Sequence, residues 1–202
     1  MMQEETISFE SEGLALDGRL ALADTNRAVV ITHPHPLYGG DMQNPVVQSI
    51  KTACQRKGYT TLRFNFRGVG RSEGRYDEGR GEKNDLRAAV NLLQKKGIDR
   101  IDLAGYSFGT WINAGIAKEF PMQTMVMVAP PVAMLKFEKD HPLPGLKLVI
   151  TGSEDEFAPP RLVQPMIRHW NPDVRFQIID GADHFFFGYL EELEKILFEH
   201  IN

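Results

Sequence analysis

The sequence predicts an α/β protein with a mostly parallel, eight-stranded sheet and helices on both of its faces. Three observations lead there. Eight short β-rich runs, TISFE, LALDGRLALA, AVVITH, TTLRFNF, RIDLAGY, TMVMVAP, LKLVITG and VRFQIID, are spread along the chain. From AVVITH onward each run is followed by an amphipathic stretch or a loop long enough to cross over, the alternation of a parallel sheet. With 202 residues, 42% of them hydrophobic, the chain can bury one substantial core and has little room for a second. One domain spanning residues 1–202 is therefore expected.

Taken in order, the first two runs read as an antiparallel hairpin. Helices are expected near 45–57, 82–97, 109–119, 160–169 and 186–200, each amphipathic and each placed between strands or after the last one. The Pro-containing APPVAMLKFEKDHPLPG is the one long irregular stretch, and neither an internal repeat nor a low-complexity linker interrupts the series. The single cysteine, Cys54, cannot form an internal disulfide. Its setting, QSIKTACQRKGY, is helical in pattern, so a buried structural thiol is expected.

A net charge of -4, from 23 basic and 27 acidic residues, gives no strong field for nucleic acid or an anionic membrane surface. A small-molecule partner is expected instead. The amino-terminal MMQEETISFE is acidic and lacks the apolar core of a secretory signal, and no apolar run approaches the roughly 18 residues that span a bilayer. These features predict a cytoplasmic protein without a membrane span. They leave the oligomeric state open.

Within LAGYSFGTW, residues 103–111, Ser107 sits between Gly105 and Gly109 directly after an apolar run. The spacing G-x-S-x-G places a serine on a sharp strand-to-helix turn, where its hydroxyl projects and the glycines permit close backbone approach. Chance produces this spacing in a chain of such length with a probability of roughly 0.07, so context decides. In a parallel sheet, ligands bind beyond the carboxyl ends of the strands. Ser107 follows RIDLAGY, SEDEFAP follows LKLVITG and GADHFF follows VRFQIID, so all three come to one edge.

A serine hydroxyl needs an imidazole to take its proton and a carboxylate to orient that imidazole. His184, in GADHFF, fills the first role, while Glu154, Asp155 and Glu156 compete for the second. Asp183 reads as a turn or cap residue. His141, His169 and His200 fall away from the catalytic edge and read as solvated. As His184 loses its proton with rising pH, activity should rise.

Acyl transfer also needs N–H donors for the developing oxyanion, each worth about 3 kcal/mol in the transition state. The backbone N–H of Phe108, the residue after the serine, is one, and the loop HPHPLYGGD supplies the other. Pro34 and Pro36 have no N–H, which leaves His35 between them as the donor, with Gly39 and Gly40 letting the chain turn. His33 and His35 alternate sides in extended chain and have no third ligand at suitable spacing, so no metal is expected. RGVGRSEG departs in spacing from a dinucleotide fingerprint and is followed by RYDEGRGE, which is no helix start, so no organic cofactor is expected either. Arg67, Arg71, Arg75 and Arg80 either solvate this loop or favour an acidic substrate group.

After the hairpin, the series HPHPLYGG, RFNFRGVGRSEG, GYSFG, GSEDEFAP and GADHFF resembles the alpha/beta hydrolase superfamily over nearly the whole chain. HPHPLYGG with RFNFRGVGRSEG resembles, more narrowly, its small cap-less bacterial members, related to serine-peptidase-like and dienelactone-hydrolase-like branches. The resemblance implies Asp155 as the triad acid, because the family's G-x-x-D falls on Gly152 and Asp155, and it supports His184 through G-x-x-H. Relatives carry His-Gly where this chain has His33-Pro34, which leaves the donor on the next residue. Dienelactone-type relatives use cysteine where Ser107 stands, which argues against their substrate. With only a short connection in place of a helical cap, the site is expected to be open and walled by Tyr38, Tyr106, Phe108 and Phe185.

These readings converge on a serine hydrolase that cleaves carboxylic esters or related acyl bonds of small substrates. Ser107, His184 and Asp155 would act as the triad, with His35 and Phe108 at the oxyanion. The alternatives are a peptidase or amidase of the serine aminopeptidase type, and a non-catalytic binding protein on the same fold.

Overall fold

β1 (Glu5–Ser11) and β2 (Leu14–Ala21) turn back on each other through Glu12 and Gly13 and pair antiparallel, from Glu5 opposite Leu20 to Ser11 opposite Leu14. The computed structural model describes residues 2–120, 124–138 and 142–201, so His141 lies outside the described residues. Six further strands follow: β3 (Arg27–Thr32), β4 (Thr60–Phe64), β5 (Arg100–Tyr106), β6 (Met125–Val128), β7 (Leu146–Gly152) and β8 (Arg175–Ile179). They form one eight-stranded sheet in the order β1-β2-β4-β3-β5-β6-β7-β8, parallel from β4 through β8. β2 joins antiparallel to β4. All of β4 and β6, and all but the first residue of β3 and β5, are buried, so these strands show no apolar–polar alternation, and their charged members Arg63 and Asp102 are paired with Glu4 and Arg27.

The helices are α1 (Pro45–Arg56), α2 (Arg80–Lys95), α3 (Phe108–Ile116), α4 (Pro160–Trp170) and α5 (Leu190–His200). The chain steps from β3 to β4 in one direction and from β4 past β3 to β5 in the other. With right-handed crossovers, that reversal puts α1 and α2 on opposite faces. α1 packs on α5 and α2 on α3, so the two pairs cover the sheet. Cys54, on α1, is buried as expected.

Helix boundaries depart from the periodicity at three places, the first being the end of α3, which stops at Ile116 rather than near 119. α2 begins at Arg80 because the Glu82 carboxylate accepts the N–H groups of Gly79 and Asp77 at 2.7 and 2.9 Å, winding the chain before the apolar stripe starts. α5 begins at Leu190 rather than 186: Phe186 and Gly188 are left-handed, at φ 55° and 81°, which a right-handed helix cannot accommodate. Between β6 and β7 the described residues hold turns and irregular chain, with no inserted helix. No helix among the described residues is long and apolar enough to cross a membrane.

Candidate active site

The carboxyl ends of β3, β5 and β6 lie in register, with Thr32 opposite Gly105 and Gly105 opposite Met127. Ser107 follows β5 immediately and caps α3 with φ 52° and ψ -122°, a backbone region that costs a non-glycine residue about 1–3 kcal/mol. The turn is held by the Ser107 N–H donating to the Val128 carbonyl at 2.9 Å and by Thr110, whose N–H and hydroxyl both donate to the Ser107 carbonyl. The two flanking glycines are fixed by packing. A Cβ on Gly109 would lie 2.5 Å from Thr32 Oγ1 and 2.7 Å from the Thr32 carbonyl oxygen, and one on Gly105 would lie 2.7 Å from the same hydroxyl. The elbow therefore closes directly onto β3.

His184 lies in the loop after β8, and its Nε2 is 2.9 Å from Ser107 Oγ. Its Nδ1 is 2.9 Å from each oxygen of Asp155, in the loop after β7. An ionised carboxylate only accepts, so Nδ1 carries the proton, and Nε2 is left with the lone pair that accepts the Ser107 hydroxyl. Asp155 is buried and also accepts the N–H groups of Phe157 and Ala158 at 2.9 and 2.7 Å. Glu154 and Glu156 are exposed, so of the three neighbouring carboxylates only Asp155 meets the imidazole.

The two loops are stitched together: Glu154 N–H donates to the Ala182 carbonyl at 3.0 Å and Ser153 N–H to Ile179 at 3.0 Å. Asp183 serves the turn, as its sequence position suggests, and accepts the N–H of Phe185 at 3.0 Å. The Tyr106 hydroxyl donates to the His184 carbonyl at 2.9 Å, and the rings of Phe157 and Tyr106 lie 4.8 and 5.5 Å from the imidazole. Tyr106 borders the cleft but is almost wholly buried. Its hydroxyl holds the backbone of His184, a contact that adjacency to Ser107 could have suggested and composition could not.

On the opposite wall, His33 is buried with Nε2 accepting the Phe66 N–H at 3.0 Å and Nδ1 donating to the Pro34 carbonyl at 2.6 Å. Burial lowers its pKa to about 4, so it stays neutral. Both ring nitrogens are thereby committed to the backbone. Among the described residues no group of three or more His, Cys, Asp or Glu is placed to hold a metal. The Pro34 carbonyl that His33 grips belongs to the peptide whose other end is the His35 N–H, and carbonyl and N–H point to opposite sides of a trans peptide. Neither that N–H nor the N–H of Phe108, in the first turn of α3, meets an acceptor among the described residues.

The His35 ring packs between Tyr38, Tyr76 and Phe108 at 4.8–4.9 Å, and its Nδ1 accepts the Leu37 N–H at 3.2 Å, starting a 3-10 turn over Pro36–Tyr38. Burial lowers its pKa as well.

A cleft of about 610 Å³ opens over Ser107 and His184. Tyr38, Tyr106, Phe108 and Phe185 border it, and so do Pro131, Met134, Leu135 and Phe157, which the sequence did not single out. All four follow the carboxyl ends of β6 or β7, the one signal that could have found them.

The arginines of the loop after β4 do not reach the cleft. Arg67 is buried against Asp85 at 2.8 Å and also pairs with Glu12, Arg71 with Asp17 at 2.7 Å, and Arg80 with Asp77 at 3.2 Å. These three fasten the loop to the β1–β2 hairpin and α2, and Arg75 is exposed and does not line the cleft, so the suggestion that they favour an acidic substrate is not supported, and Arg67 is not solvated either. His169 is exposed on α4. His200, the last residue of α5, is half-buried beside Arg175 of β8, 3.1 Å away.

A serine, an imidazole and a carboxylate on three loops at the carboxyl edge of a doubly covered sheet define the architecture of the alpha/beta hydrolases. The chain belongs to that family: the alpha/beta hydrolase fold profile matches residues 35–147. An uncharacterised protein of Rickettsia prowazekii (strain Madrid E) is 33% identical over 210 residues, covering 96% of this chain and 87% of that protein. The chain is also similar to an alpha-beta serine hydrolase homologue from Coxiella burnetii, with 35% identity, a TM-score of 0.91 and 98% of each chain covered. A third relative, from Xanthomonas campestris, is described as an a/b serine hydrolase without lid. It is 29% identical with a TM-score of 0.90, over 96% of this chain and 92% of that one. Together these support a hydrolase function.

Proposed function

We propose that this chain, acting as one domain, is a serine hydrolase that cleaves carboxylic esters or related acyl bonds through an acyl-enzyme. The observation that carries the reading is the continuous relay from Ser107 Oγ to His184 Nε2 and from His184 Nδ1 to both oxygens of Asp155, every step 2.9 Å.

Ser107 Oγ attacks the substrate carbonyl carbon while its proton passes to His184 Nε2. Asp155, held by two backbone amides, stabilises the imidazolium and does not itself take the proton. The N–H groups of His35 and Phe108 receive the oxyanion. His33 supports that role by holding the other face of the Pro34–His35 peptide, and the amino end of α3 adds its partial positive charge. Collapse of the tetrahedral species sends the Nε2 proton to the leaving alcohol. Water, deprotonated by the same nitrogen, then releases the acid and restores Ser107.

No step requires a cofactor. The test is to mix enzyme with an activated acetate ester, quench in acid and map the peptides. Acetyl mass on the Ser107 peptide is expected, and turnover with no acyl-serine at any quench time would contradict the covalent route.

A further inference from the structure

We propose that the substrate is an uncharged ester carrying an apolar chain or ring larger than an acetyl group, bound at the cleft mouth by Phe185, Phe187 and Tyr38. The inference rests on the hydrolase reading above and narrows it.

No Lys, Arg, Asp or Glu lines the cleft among the described residues. Asp155 stands behind His184 with both oxygens already bonded, and three of the four nearby arginines are paired elsewhere. A carboxylate or ammonium entering here would lose its water and find no counter-charge. Substrates with a free carboxylate, or with the free amine that an aminopeptidase recognises, are thus disfavoured by the same walls.

The mouth adds a positive requirement. Eight large hydrophobic side chains are exposed among the described residues, and four of them gather here: Tyr38 at 77%, Met134 at 56% and Phe185 at 51% border the cleft, and the Phe187 ring packs against Phe185. Such concentration is unusual on a soluble surface and marks a binding face. The Phe185 ring meets the His184 imidazole edge-on at 5.6 Å and 85°, and the Phe187 ring, 74% exposed, follows 5.8 Å further on at a tilt of 32°. An aromatic strip therefore runs outward from the imidazole, with Tyr38 on the opposite wall. An apolar group attached to a carbonyl at Ser107 can cover it. An acetyl group leaves most of the 610 Å³ unfilled.

The test is pH-stat hydrolysis of two uncharged series, ethyl esters of lengthening acids and acetates of lengthening alcohols. It also includes ethyl hemisuccinate and ethyl 4-aminobutyrate beside ethyl butyrate. A fully buried methylene is worth about fourfold in kcat/KM, so on a half-open strip a rise of about twofold per methylene is expected in at least one series. The charged esters should fall at least about tenfold below ethyl butyrate. Phe187→Ser, which removes the outer ring of the strip, should flatten the rise, bringing kcat/KM for the longest ester down toward that for ethyl acetate.

Fluorophosphonate labelling of Ser107 runs alongside. Absence of labelling overturns the hydrolase reading and this inference together. Labelling with two flat series, or with charged esters cleaved as fast as ethyl butyrate, overturns this inference alone.

Discussion

The rings of His35 and Phe108 pack against each other with centroids 4.8 Å apart. The two residues proposed to donate to the oxyanion through their backbones thus brace one another through their side chains, one from the loop after β3 and the other from the first turn of α3. The separation of the donors depends on this contact as well as on the Leu37 N–H bond to His35 Nδ1.

Two variants separate these supports. His35→Phe keeps a ring and loses the acceptor for Leu37, whereas His35→Asn keeps an acceptor and loses the ring. Each is expected to lower kcat about tenfold while KM changes less than about twofold, since a misplaced donor weakens the transition state more than the ground state. Steady-state kinetics on a small ester check this, and a rise in KM with unchanged kcat would assign His35 to substrate binding instead.

Asp155→Asn should preserve the fold, because an amide oxygen can still accept from Phe157 and Ala158. Its NH2 group would then face His184 Nδ1 and favour the tautomer with the proton on Nε2, which cannot accept from Ser107. A loss of about 10³–10⁴ in kcat is expected with little change in thermal stability. Retention of most activity would show that another group sets the tautomer.

Gly109→Ala tests the elbow as architecture. The added methyl meets the Thr32 carbonyl, fixed in β3, as well as the Thr32 hydroxyl, which would have to leave its bonds to Ala104 and Asn113 to move. A destabilisation of about 3 kcal/mol is expected, or roughly 6–12 °C in Tm for a chain of this size. An unchanged melting curve would mean that α3 sits further from β3 than described.

His33 gives the fold a pH dependence whose sign is set by burial. Its pKa is lowered from 6.5 to about 4, so between those values the unfolded chain binds a proton that the folded chain does not. Its contribution is present above pH 6.5 and is lost as pH falls toward 4, amounting to about 3 kcal/mol. Denaturant unfolding at pH 7 and pH 4.5 should show a fall in wild-type stability that His33→Gln reduces by about 2–3 kcal/mol. Parallel profiles for the two proteins would remove His33 from the account.

The positions of Ser107 and His184 at the sheet edge and the succession of strands along the chain were legible because each has a local signal: a glycine-flanked serine after an apolar run, and a histidine after the last strand. The acid was less so. Residues alone left Glu154, Asp155 and Glu156 open, and the family spacing selected Asp155. The fold separates them because the amides of Phe157 and Ala158 turn one carboxylate inward and leave its neighbours in solvent.

What escaped the sequence depends on long-range pairing. Arg67 looked available until Asp85, on the next helix, proved to be its buried partner. The start of α5 was placed too early because FFFGYLEELEKIL continues an apolar rhythm through residues whose backbone is left-handed. Met134 and Leu135 lie in the irregular connection where neither period applies, so only their place after β6 hinted that they border the cleft.

In the proposed mechanism Ser107 is activated by His184. Labelling with a fluorophosphonate followed by peptide mass spectrometry tests it without knowledge of the substrate, on the wild type and on Ser107→Ala and His184→Ala. One adduct is expected, on Ser107, absent from the first variant and at least about a thousandfold slower in the second. A folded wild type that takes no label, or a label on Ser107 that His184→Ala leaves undiminished, would contradict it.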